Sequence, residues 1–438
     1  MDTLLIIGGG AAGLMAGVAA GEAGIPAMIL ERRHRPGLKL LMCGNNRCNI
    51  SHDAKPDGML RQYGGDIAHF LTNAINSFPP AALRAWFQKY GLRTIVKRER
   101  IYPVGENADD VLHLFVDQLR ELKVPIALNC PVKSIARQDN GMWSVSTENG
   151  MVFQAKYVLL ATGGISYPKT GSVGDGQRMA QELGHNVTTL KPGLAGFDTA
   201  STLFQNLKEA NIEETIVRIV DGNGAIVVET QGNILCSNGI LRGTAIFDAV
   251  RQIAHKNISD FTAVADILPA VKPGTQGNLA ALLAKCDIPQ DLARNILARY
   301  GKMPAAIAKL KELPLEVTSI RPVKEAIVTA GGVALQEIEP ATMASRKEDG
   351  LFFAGELMDI DGPTGGYNLH AAFATARLAI AEITRRIKGK QSKPNQSAPR
   401  FGGHNPKPNP SGSRSGTHTQ DSPKRRYSDP RSSVWRGK

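Results

Sequence analysis

Cysteine is scarce in this 438-residue sequence, which contains five, at positions 43, 48, 130, 236 and 286. Five cysteines are too few for a disulfide framework, and no C-x-x-C pair predicts a zinc site. The histidines, His255 among them, lack a second ligand at metal spacing, so we expect structural or surface roles for them. The sequence therefore predicts a fold without a disulfide framework and without a bound metal.

Long uninterrupted apolar runs are also missing. The most apolar stretch, residues 4–20, is broken by five glycines, and Asp2 stands where a signal peptide would carry basic residues. A membrane span and a secretory signal are therefore not predicted. Apolar residues still make up 42% of the chain, which is enough to bury a large core. We expect a cytoplasmic enzyme of two or three domains.

Acidic residues are few at the carboxyl end of the chain. Twelve basic and two acidic residues lie from Lys388 onward, so this tail carries +10 of the net charge of +12. The tail, 388–438, is rich in Pro, Ser, Gly and Asn without apolar periodicity, and we expect it to be disordered. Its aromatic residues, Phe401, Tyr427 and Trp435, stand among arginines, which suits loose contact with RNA. The alternative is a solubilising extension without a partner.

The most informative feature that is present is the order of elements in the first 31 residues. A short apolar strand, Thr3–Ile7, leads into G-x-G-x-x-G spacing and a helix over Ala11–Glu22. Its glycines allow a tight turn, close approach of a pyrophosphate and close packing of helix on strand. A second strand, Pro26–Leu30, ends at Glu31, whose carboxylate is placed to bind an adenosine ribose. The motif predicts a dinucleotide site but does not separate FAD from NAD.

Residues 32–49 are too basic and too rich in glycine for an ordinary linker. We interpret them as a second cofactor loop in which Lys39 and Arg47 face phosphates or a flavin ring; the alternative is a solvated basic loop. Cys43 and Cys48 have a spacing like that of the redox disulfide in flavin disulfide reductases. Those enzymes also need a second nucleotide motif and a carboxy-terminal His-Glu pair. Neither is found, so a redox disulfide is the less favoured interpretation.

The middle of the chain divides into helical, strand and mixed segments. Residues 67–122 predict packing helices and residues 142–156 predict a hairpin. A strand at Tyr157–Ala161 ends in Thr162-Gly163-Gly164, a turn that closes on the first nucleotide loop in two-dinucleotide flavoproteins. Residues 215–249 look strand-like, and the segment after them turns helical. This pattern predicts an inserted β-rich substrate domain with a small helical subdomain.

The chain returns to the cofactor after residue 328. A strand at Leu351–Ala354 ends in Gly355-Glu356 and is followed by a glycine loop over 362–368 and a long helix. The positive end of that helix suits the N1/O2 side of an isoalloxazine, where reduction develops negative charge. Both ends of the chain are therefore predicted to hold one flavin cofactor.

These stretches resemble the BaiN/RdsA-type family of NAD(P)/FAD-dependent oxidoreductases over residues 1–387. The matching stretches are GGGAAG (8–13), GLKLLMCGNNRCN (37–49), ATGGISYPKTGSVGDG (161–176), LGH (183–185), TAGGV (329–333) and GELMDIDGPTGGYNLHAAF (355–373). The resemblance implies an α/β fold with a Rossmann-like two-dinucleotide-type FAD domain split in sequence, an inserted β-barrel domain and a small helical subdomain. The expected boundaries are 1–190 and 330–387 for the FAD domain, 191–265 and 314–329 for the insert, 266–313 for the helical part, and 388–438 for the tail.

The motifs and the resemblance together give the expected cofactor contacts. FAD is the implied cofactor, with NAD(P)H as a transient electron donor because no second nucleotide motif is found. The residues expected near FAD are Gly8, Gly10, Ala12, Gly13, Glu31, Arg32, Lys39, Arg47, Asn49, Val132, Ala161, Thr162, Gly163, Gly355, Glu356, Asp361, Gly365, Gly366, Asn368 and Leu369.

The activities attached to the family are reductions of conjugated C=C bonds, in uracil of large-subunit rRNA and in enones of steroid acids. Both imply hydride transfer from flavin N5 to an α,β-unsaturated carbonyl and protonation of the neighbouring carbon by a general acid. Cys48, which the resemblance puts close to the reacting face, is the first candidate for that acid. His370 and Tyr367 are alternatives. For Cys48 a packed thiol, and for Tyr367 a wall of the flavin pocket, is the purely structural interpretation.

The sequence departs from the family pattern at three places. Residues 236–243 lack the usual T-H-x-G-x-S-G-P stretch, His370 stands where glutamine is common, and Asn46 replaces a usual glycine. These departures leave the substrate open. The hypotheses are an rRNA uridine reductase that uses the tail and the inserted domain, a flavin oxidoreductase on a small metabolite enone or amine, and a non-catalytic RNA-associated flavoprotein.

Overall fold

The computed structural model describes residues 3–44, 46–301 and 303–391. The expectation of disorder from residue 388 is wrong for residues 388–391, which are the last residues of a helix, and the rest of the predicted tail, from position 392, lies outside the described residues. The helices in the described part are α1 (Ala11–Glu22), α2 (Leu38–Leu41), α3 (Pro56–Tyr63), α4 (Gly65–Ser77), α5 (Pro80–Lys89), α6 (Ala108–Glu121), α7 (Asp175–Glu182), α8 (Thr244–Lys256), α9 (Leu279–Lys285), α10 (Gln290–Tyr300), α11 (Ala305–Lys311) and α12 (Tyr367–Gln391).

The strands of the described part fall into two large sheets and three small ones. They are β1 (Leu4–Ile7), β2 (Ala27–Leu30), β3 (Ser51–His52), β4 (Thr94–Lys97), β5 (Arg100–Pro103), β6 (Ile126–Ala127), β7 (Val132–Arg137), β8 (Trp143–Thr147), β9 (Val152–Ala155), β10 (Tyr157–Leu160), β11 (Lys191–Pro192), β12 (Phe197–Thr199), β13 (Ala210–Asp221), β14 (Ile226–Ser237), β15 (Ile240–Arg242), β16 (Phe261–Asp266), β17 (Leu313–Pro314), β18 (Val317–Ile320), β19 (Thr329–Ala330), β20 (Ile338–Glu339), β21 (Ala344–Ser345) and β22 (Leu351–Phe353).

A largely parallel sheet has the strand order β20-β21-β22-β10-β1-β2-β6. Strand β1 pairs in parallel with β2 on one side and with β10 on the other, and β22 pairs in parallel with β10. All four residues of β1 are buried, as expected for a parallel strand that is covered on both faces. Strands from both ends of the chain share this sheet, so the Rossmann-like fold is split in sequence as predicted.

Helix α1 packs closely on this sheet because its inner positions are glycine and alanine. A Cβ on Gly13 would lie 1.8 Å from the carbonyl oxygen of Gly8, and one on Gly17 would lie 2.7 Å from Ile29 Cδ1. Gly8 has a φ of +104°, which glycine adopts without strain. The structure therefore confirms that the G-x-G-x-x-G spacing forms a strand, a tight turn and a helix.

A second, antiparallel sheet carries the inserted region, in the order β17-β16-β13-β14-β15-β12-β18. Strands β17 and β18 take opposite ends of this order although only Leu315 and Glu316 separate them in sequence. The sheet therefore curls until its ends come close, which is the curvature that the barrel prediction requires. Its apolar core, drawn from residues 195–326, is separate from the core of the parallel sheet. The exact domain boundaries stay a prediction.

Helix α8 is the main difference from the sequence predictions. The expectation of strand up to residue 249 is wrong at its end, because α8 begins at Thr244. The buried residues Ile246, Ala249, Val250 and Ile253 have the spacing of one helix face.

The predicted hairpin over 142–156 is confirmed by the antiparallel pairing of β8 with β9. No helix in the described part of the chain is both long enough and apolar enough to cross a membrane.

Replacing Gly13 with alanine is expected to lower the free energy of unfolding by about 2 kcal/mol or more, because the new methyl group meets the Gly8 backbone. Gly10→Ala is the matched control in the same turn. Its Cβ would meet no atom within 4 Å, so we expect a change below about 1 kcal/mol. Urea denaturation of the two variants measures both values, and equal losses would contradict the packing interpretation.

Candidate functional site

A cavity of about 580 Å³ lies at the carboxyl ends of the parallel strands and extends to the inserted sheet. Ligands of open α/β sheets bind at this edge. The segments that contribute to its wall are the β1–α1 turn, the loop around α2, the ends of β10 and β22, the loop before α12, and parts of β14, β15 and α8.

Eighteen of the twenty residues predicted to lie near the cofactor line this cavity. They are Gly8, Gly10, Ala12, Glu31, Arg32, Lys39, Arg47, Asn49, Val132, Ala161, Thr162, Gly163, Gly355, Glu356, Gly365, Gly366, Asn368 and Leu369. The remaining two are Gly13, which packs inside the β1–α1 turn, and Asp361, which is described below. Cofactor binding by any of the twenty stays a prediction.

The carboxylate of Glu31 closes the β1–α1 turn. Its two oxygens accept hydrogen bonds from Gly9 N and Arg33 N, each at 2.7 Å. Burial raises the pKa of Glu31, while the two backbone N–H donors oppose that rise. The predicted ribose contact would therefore be added to bonds that already hold the turn.

An ion pair joins segments from the two ends of the chain on the cavity wall. Lys39 Nζ lies 2.7 Å from Glu356 Oε2 and 2.6 Å from Ser166 Oγ. Glu356 also accepts a hydrogen bond from Thr329 N at 2.8 Å. The charge of Lys39, which we expected to face phosphates or the flavin ring, is therefore already paired with a carboxylate.

The loop before α12 directs the start of that helix towards the cavity. Gly365 and Gly366 have φ values of +121° and +96°, so both positions favour glycine. Asn368 holds the loop in shape, since its Oδ1 accepts from Gly362 N and its Nδ2 donates to Gly362 O, both at 2.8 Å. The positive end of the α12 dipole thus lies at the cavity wall.

Helix α8 of the inserted region also binds the loop before α12. Arg251 Nε donates to Asp361 Oδ2 at 2.9 Å, and His255 Nε2 lies 2.7 Å from Asp361 Oδ1. Asp248 accepts hydrogen bonds from N and Oγ1 of Thr364 at 2.7 and 2.9 Å. Asp361 is 1% exposed and does not line the cavity. Asp361 was predicted to contact the cofactor, but both of its carboxylate oxygens bind residues of α8 instead.

The three predicted proton donors lie behind the cavity wall. Cys48, Tyr367 and His370 are at most 4% exposed, and none of them lines the cavity. A general acid must reach its proton acceptor directly or through one water. The structure therefore does not bring these three side chains to the cavity, and their catalytic roles stay predictions.

His370 is held as a neutral ring. Its Nδ1 lies 2.8 Å from Ser51 Oγ and its Nε2 lies 2.9 Å from Phe78 O. The Phe78 carbonyl can only accept, so Nε2 carries the proton and Nδ1 accepts from the Ser51 hydroxyl. Burial lowers the pKa of His370 to about 4. A glutamine at this position could make the same two bonds with its amide nitrogen and oxygen.

Two side chains that were not predicted as cofactor contacts or proton donors, Cys43 and Tyr167, line the cavity. Cys43 was considered only as the partner of Cys48 in a redox disulfide. A hydrogen bond with the Cys48 thiol lowers the pKa of Cys43, and the same contact and burial raise the pKa of Cys48 well above its usual range. Tyr167 has a φ of +52° directly before Pro168, an uncommon conformation for a tyrosine. The Tyr-Pro pair inside a matched stretch is the sequence signal that could have pointed to this residue.

The variant His370→Gln is expected to lose less stability at acidic pH than the wild-type protein. The folded state resists protonating His370 until about pH 4, whereas the unfolded chain protonates it near pH 6.5. Stability therefore falls as the pH drops from about 6.5 to 4, and glutamine abolishes this contribution. Denaturation midpoints of both proteins between pH 4 and pH 8 measure the difference. Parallel curves would contradict the buried neutral ring.

Comparisons with known proteins agree with this geometry. Residues 2–382 match the family described as HI0933-like protein Rossmann domain. The 3-dehydro-bile acid delta(4,6)-reductase of Clostridium scindens is 29% identical over 409 residues, which cover 86% of this chain and 98% of that protein. The ribosomal RNA dihydrouridine synthase of Escherichia coli is 28% identical over 403 residues, which cover 86% of this chain and 97% of that protein.

Two solved structures share the fold. The 3-ketosteroid delta1-dehydrogenase of Sterolibacterium denitrificans has a TM-score of 0.53 at 13% identity and covers 88% of this chain and 100% of its own. The 3-ketosteroid-delta4-(5alpha)-dehydrogenase of Rhodococcus jostii has a TM-score of 0.51 at 14% identity, and the match covers 87% of this chain and 96% of that one. The predicted fold class and the predicted enzyme class, a flavin-dependent oxidoreductase, are confirmed. In agreement with the resemblance found in the sequence, the chain belongs to the HI0933-like protein family.

Proposed function

We propose that this protein binds FAD and reduces a C=C bond that is conjugated to a carbonyl group. The observation that carries the proposal is a single cavity bounded by the β1–α1 turn at one end and by the glycine loop before α12 at the other. The names of two relatives support the reaction class. One refers to a delta(4,6)-reductase acting on a 3-dehydro bile acid, the other to a dihydrouridine synthase.

Unpartnered polar atoms in the cavity wall support the fit of a nucleotide cofactor. Thr162 Oγ1 and Asn49 Oδ1 are buried and have no hydrogen-bond partner among the described residues. Both residues line the cavity. Buried polar atoms without partners are uncommon in folded proteins, so each favours a bound group that supplies the missing bond.

The residues divide along the cavity by the part of FAD that they would hold. Glu31, Arg32 and Val132 would hold the adenosine, and the amino end of α1 would hold the pyrophosphate. Residues 365–369, with the positive end of α12, would hold the flavin ring. When bound, FAD supplies a hydride from N5 to the electron-poor carbon of the substrate, and NAD(P)H is the proposed source of its electrons.

The proton for the neighbouring carbon would come from a group that reaches the cavity. Cys43 and Tyr167 satisfy this condition, since both line the wall. Burial raises the pKa of Tyr167, so the phenol keeps its proton at neutral pH. A thiol or a phenol in this position can donate a proton without first being charged.

For the substrate we propose a uridine of large-subunit rRNA, reduced in the cytoplasm to dihydrouridine. Two relatives named ribosomal RNA dihydrouridine synthase, from Escherichia coli and Haemophilus influenzae, support this choice, as does the basic tail. A small metabolite enone is the second candidate. It is favoured by the bile acid reductase among the relatives and by a cavity whose lining, among the described residues, comes from positions 7–372.

Deleting the gene is expected to remove one or more dihydrouridines from large-subunit rRNA, which mass spectrometry of digested nucleosides measures. The wild-type gene should restore them. Gly366→Ala should not, because its Cβ would lie 2.5 Å from the Ser51 backbone at a φ of +96°. An unchanged dihydrouridine content would exclude the rRNA substrate and favour the small-metabolite candidate.

Removing residues 392–438 separates the tail from the catalytic part, because α12 stays whole. The deleted segment has ten basic and two acidic residues, so RNA affinity should weaken and its salt dependence should become shallower. Turnover of a small enone should keep its rate. Filter binding at several salt concentrations tests the first expectation, and RNA binding with the same affinity and salt slope in the truncated protein would contradict it.

A further inference from the structure

The cavity wall carries seven cationic side chains, and five of them are paired with carboxylates. The pairs are Arg32 with Asp175 at 2.5 Å, Arg35 with Asp109 at 2.7 Å, Lys39 with Glu356 at 2.7 Å, Arg47 with Glu106 at 3.7 Å, and Arg321 with Asp198 at 2.8 Å. The side chains of Arg100 and Arg242 make no ion pair or hydrogen bond with any other described residue. Arg100 and Arg242 therefore line the same cavity with no carboxylate of the described residues within 4.0 Å of their guanidinium groups.

Arg100 lies beside the loop that precedes α12. It pairs with His52 across β3 and β5. The ring of His52 stacks on Tyr367 at 4.9 Å, and a Cβ on Gly365 would lie 3.5 Å from His52 Nδ1. Burial raises the pKa of Asp248, and the charge of Arg100 is one of the groups that oppose this rise. Arg100 thus lies near both Gly365 and the first turns of α8.

Arg242 lines the same cavity from the inserted sheet. It is the last residue of β15, and only Gly243 separates it from α8. Further along α8, Asp248 binds Thr364 in the loop before α12. Burial raises the pKa of Tyr167, and the charge of Arg242 opposes this rise. The charge of Arg242 therefore also acts on the phenol that we propose as a proton donor.

The amino end of α8 adds to this positive region. Gly243 and Thr244 line the cavity, and glycine at the N-cap supplies no side-chain oxygen to the first turn. The first turn of this 13-residue helix contains no acidic residue. Thr244 N donates to the neutral amide oxygen Asn233 Oδ1 at 3.0 Å, so one N–H of the first turn is already bound. The Asp248 carboxylate accepts from Thr364. The positive end of the dipole is therefore not neutralised by a carboxylate of its own helix.

We infer that Arg100, Arg242 and the amino end of α8 form a subsite for an oxyanion group of the substrate, either a phosphate or a carboxylate. The inference rests on the proposed function, in which the ring end of FAD lies at residues 365–369 and the pyrophosphate at α1. Guanidinium groups bind both kinds of oxyanion through paired, charge-assisted hydrogen bonds. The subsite would select substrates whose reducible ring carries a nearby negative charge and would disfavour their neutral counterparts.

Calorimetry on the FAD-loaded, full-length protein tests this subsite without relying on turnover. One pair of probes is uridine 5′-monophosphate against uridine, and the other is a 3-oxo-Δ4 steroid carboxylic acid against its methyl ester. We expect the charged member of at least one pair to bind about tenfold tighter or more, as for one charge-assisted contact. A preference in the first pair identifies phosphate as the natural group, and a preference in the second identifies carboxylate.

Three variants connect the preference to these arginines. Arg242→Gln and Arg100→Gln should each reduce the charged-over-neutral ratio about tenfold, and Arg242→Lys should restore part of it. Arg98→Gln is the matched control, because it removes the same charge from the β4–β5 hairpin at a residue that does not line the cavity. Retained FAD absorbance in every variant excludes a loss through misfolding.

The subsite is overturned if neither charged probe binds tighter than its neutral counterpart at millimolar concentration. It is also overturned if Arg242→Gln and Arg100→Gln keep the wild-type ratio, or if Arg98→Gln lowers the ratio as much as they do. Failure of the proposed reaction has a different signature. In that case the charged probe binds in an arginine-dependent way but is not reduced when NAD(P)H or dithionite reduces the protein.

Discussion

The pairing of β22 with β10, next to β1, is the constraint on which the cavity depends. Val158 stands opposite Leu351 in this pairing, so the last quarter of the chain completes a sheet begun by its first seven residues. Strands β20 and β21 extend this sheet beyond β22, and the rest of the chain between β10 and β22 leaves the sheet and returns to it. The loops from both ends therefore meet at one edge, where Lys39 and Glu356 form an ion pair across 317 positions of sequence.

The second important contact is the one that α8 makes with the loop before α12. Asp361 is buried between Arg251 and His255, and Arg251 also donates to the carbonyl oxygens of Asp361 and Tyr63 at 2.8 and 3.0 Å. Removing one partner of such a buried pair costs several kcal/mol because a charge is left without compensation. These contacts fix the inserted region to the glycine loop. A displacement of α8 would therefore move the loop at which the cofactor ring is proposed to lie.

The sequence predicted the parts of the site that local backbone chemistry determines. Glycine spacing after an apolar strand, and Glu31 at the end of the next strand, need only neighbouring residues to be recognised. It could not show which side chains point into the cavity. Cys48 was predicted to be the proton donor and Cys43 was not, although the two thiols are hydrogen-bonded and, of the two, Cys43 lines the wall. Asp361 was placed at the cofactor because its partners lie more than 100 residues away, on a helix that was not recognised.

The helical segment α9–α11 is inserted between two neighbouring strands, β16 and β17. Ala265 stands opposite Leu313, and Lys311 Nζ lies 2.9 Å from Asp266 Oδ2, so the chain leaves and re-enters the curled sheet at adjacent points. In topological terms α9, α10 and α11 are the loop of a β-hairpin. Leu283, Leu292 and Ile296 of this connection are buried in the same apolar core as the curled sheet. Exchanging the segment for a short turn would therefore uncover that core, so the three helices are a structural part of the inserted region although they leave it through two adjacent strands.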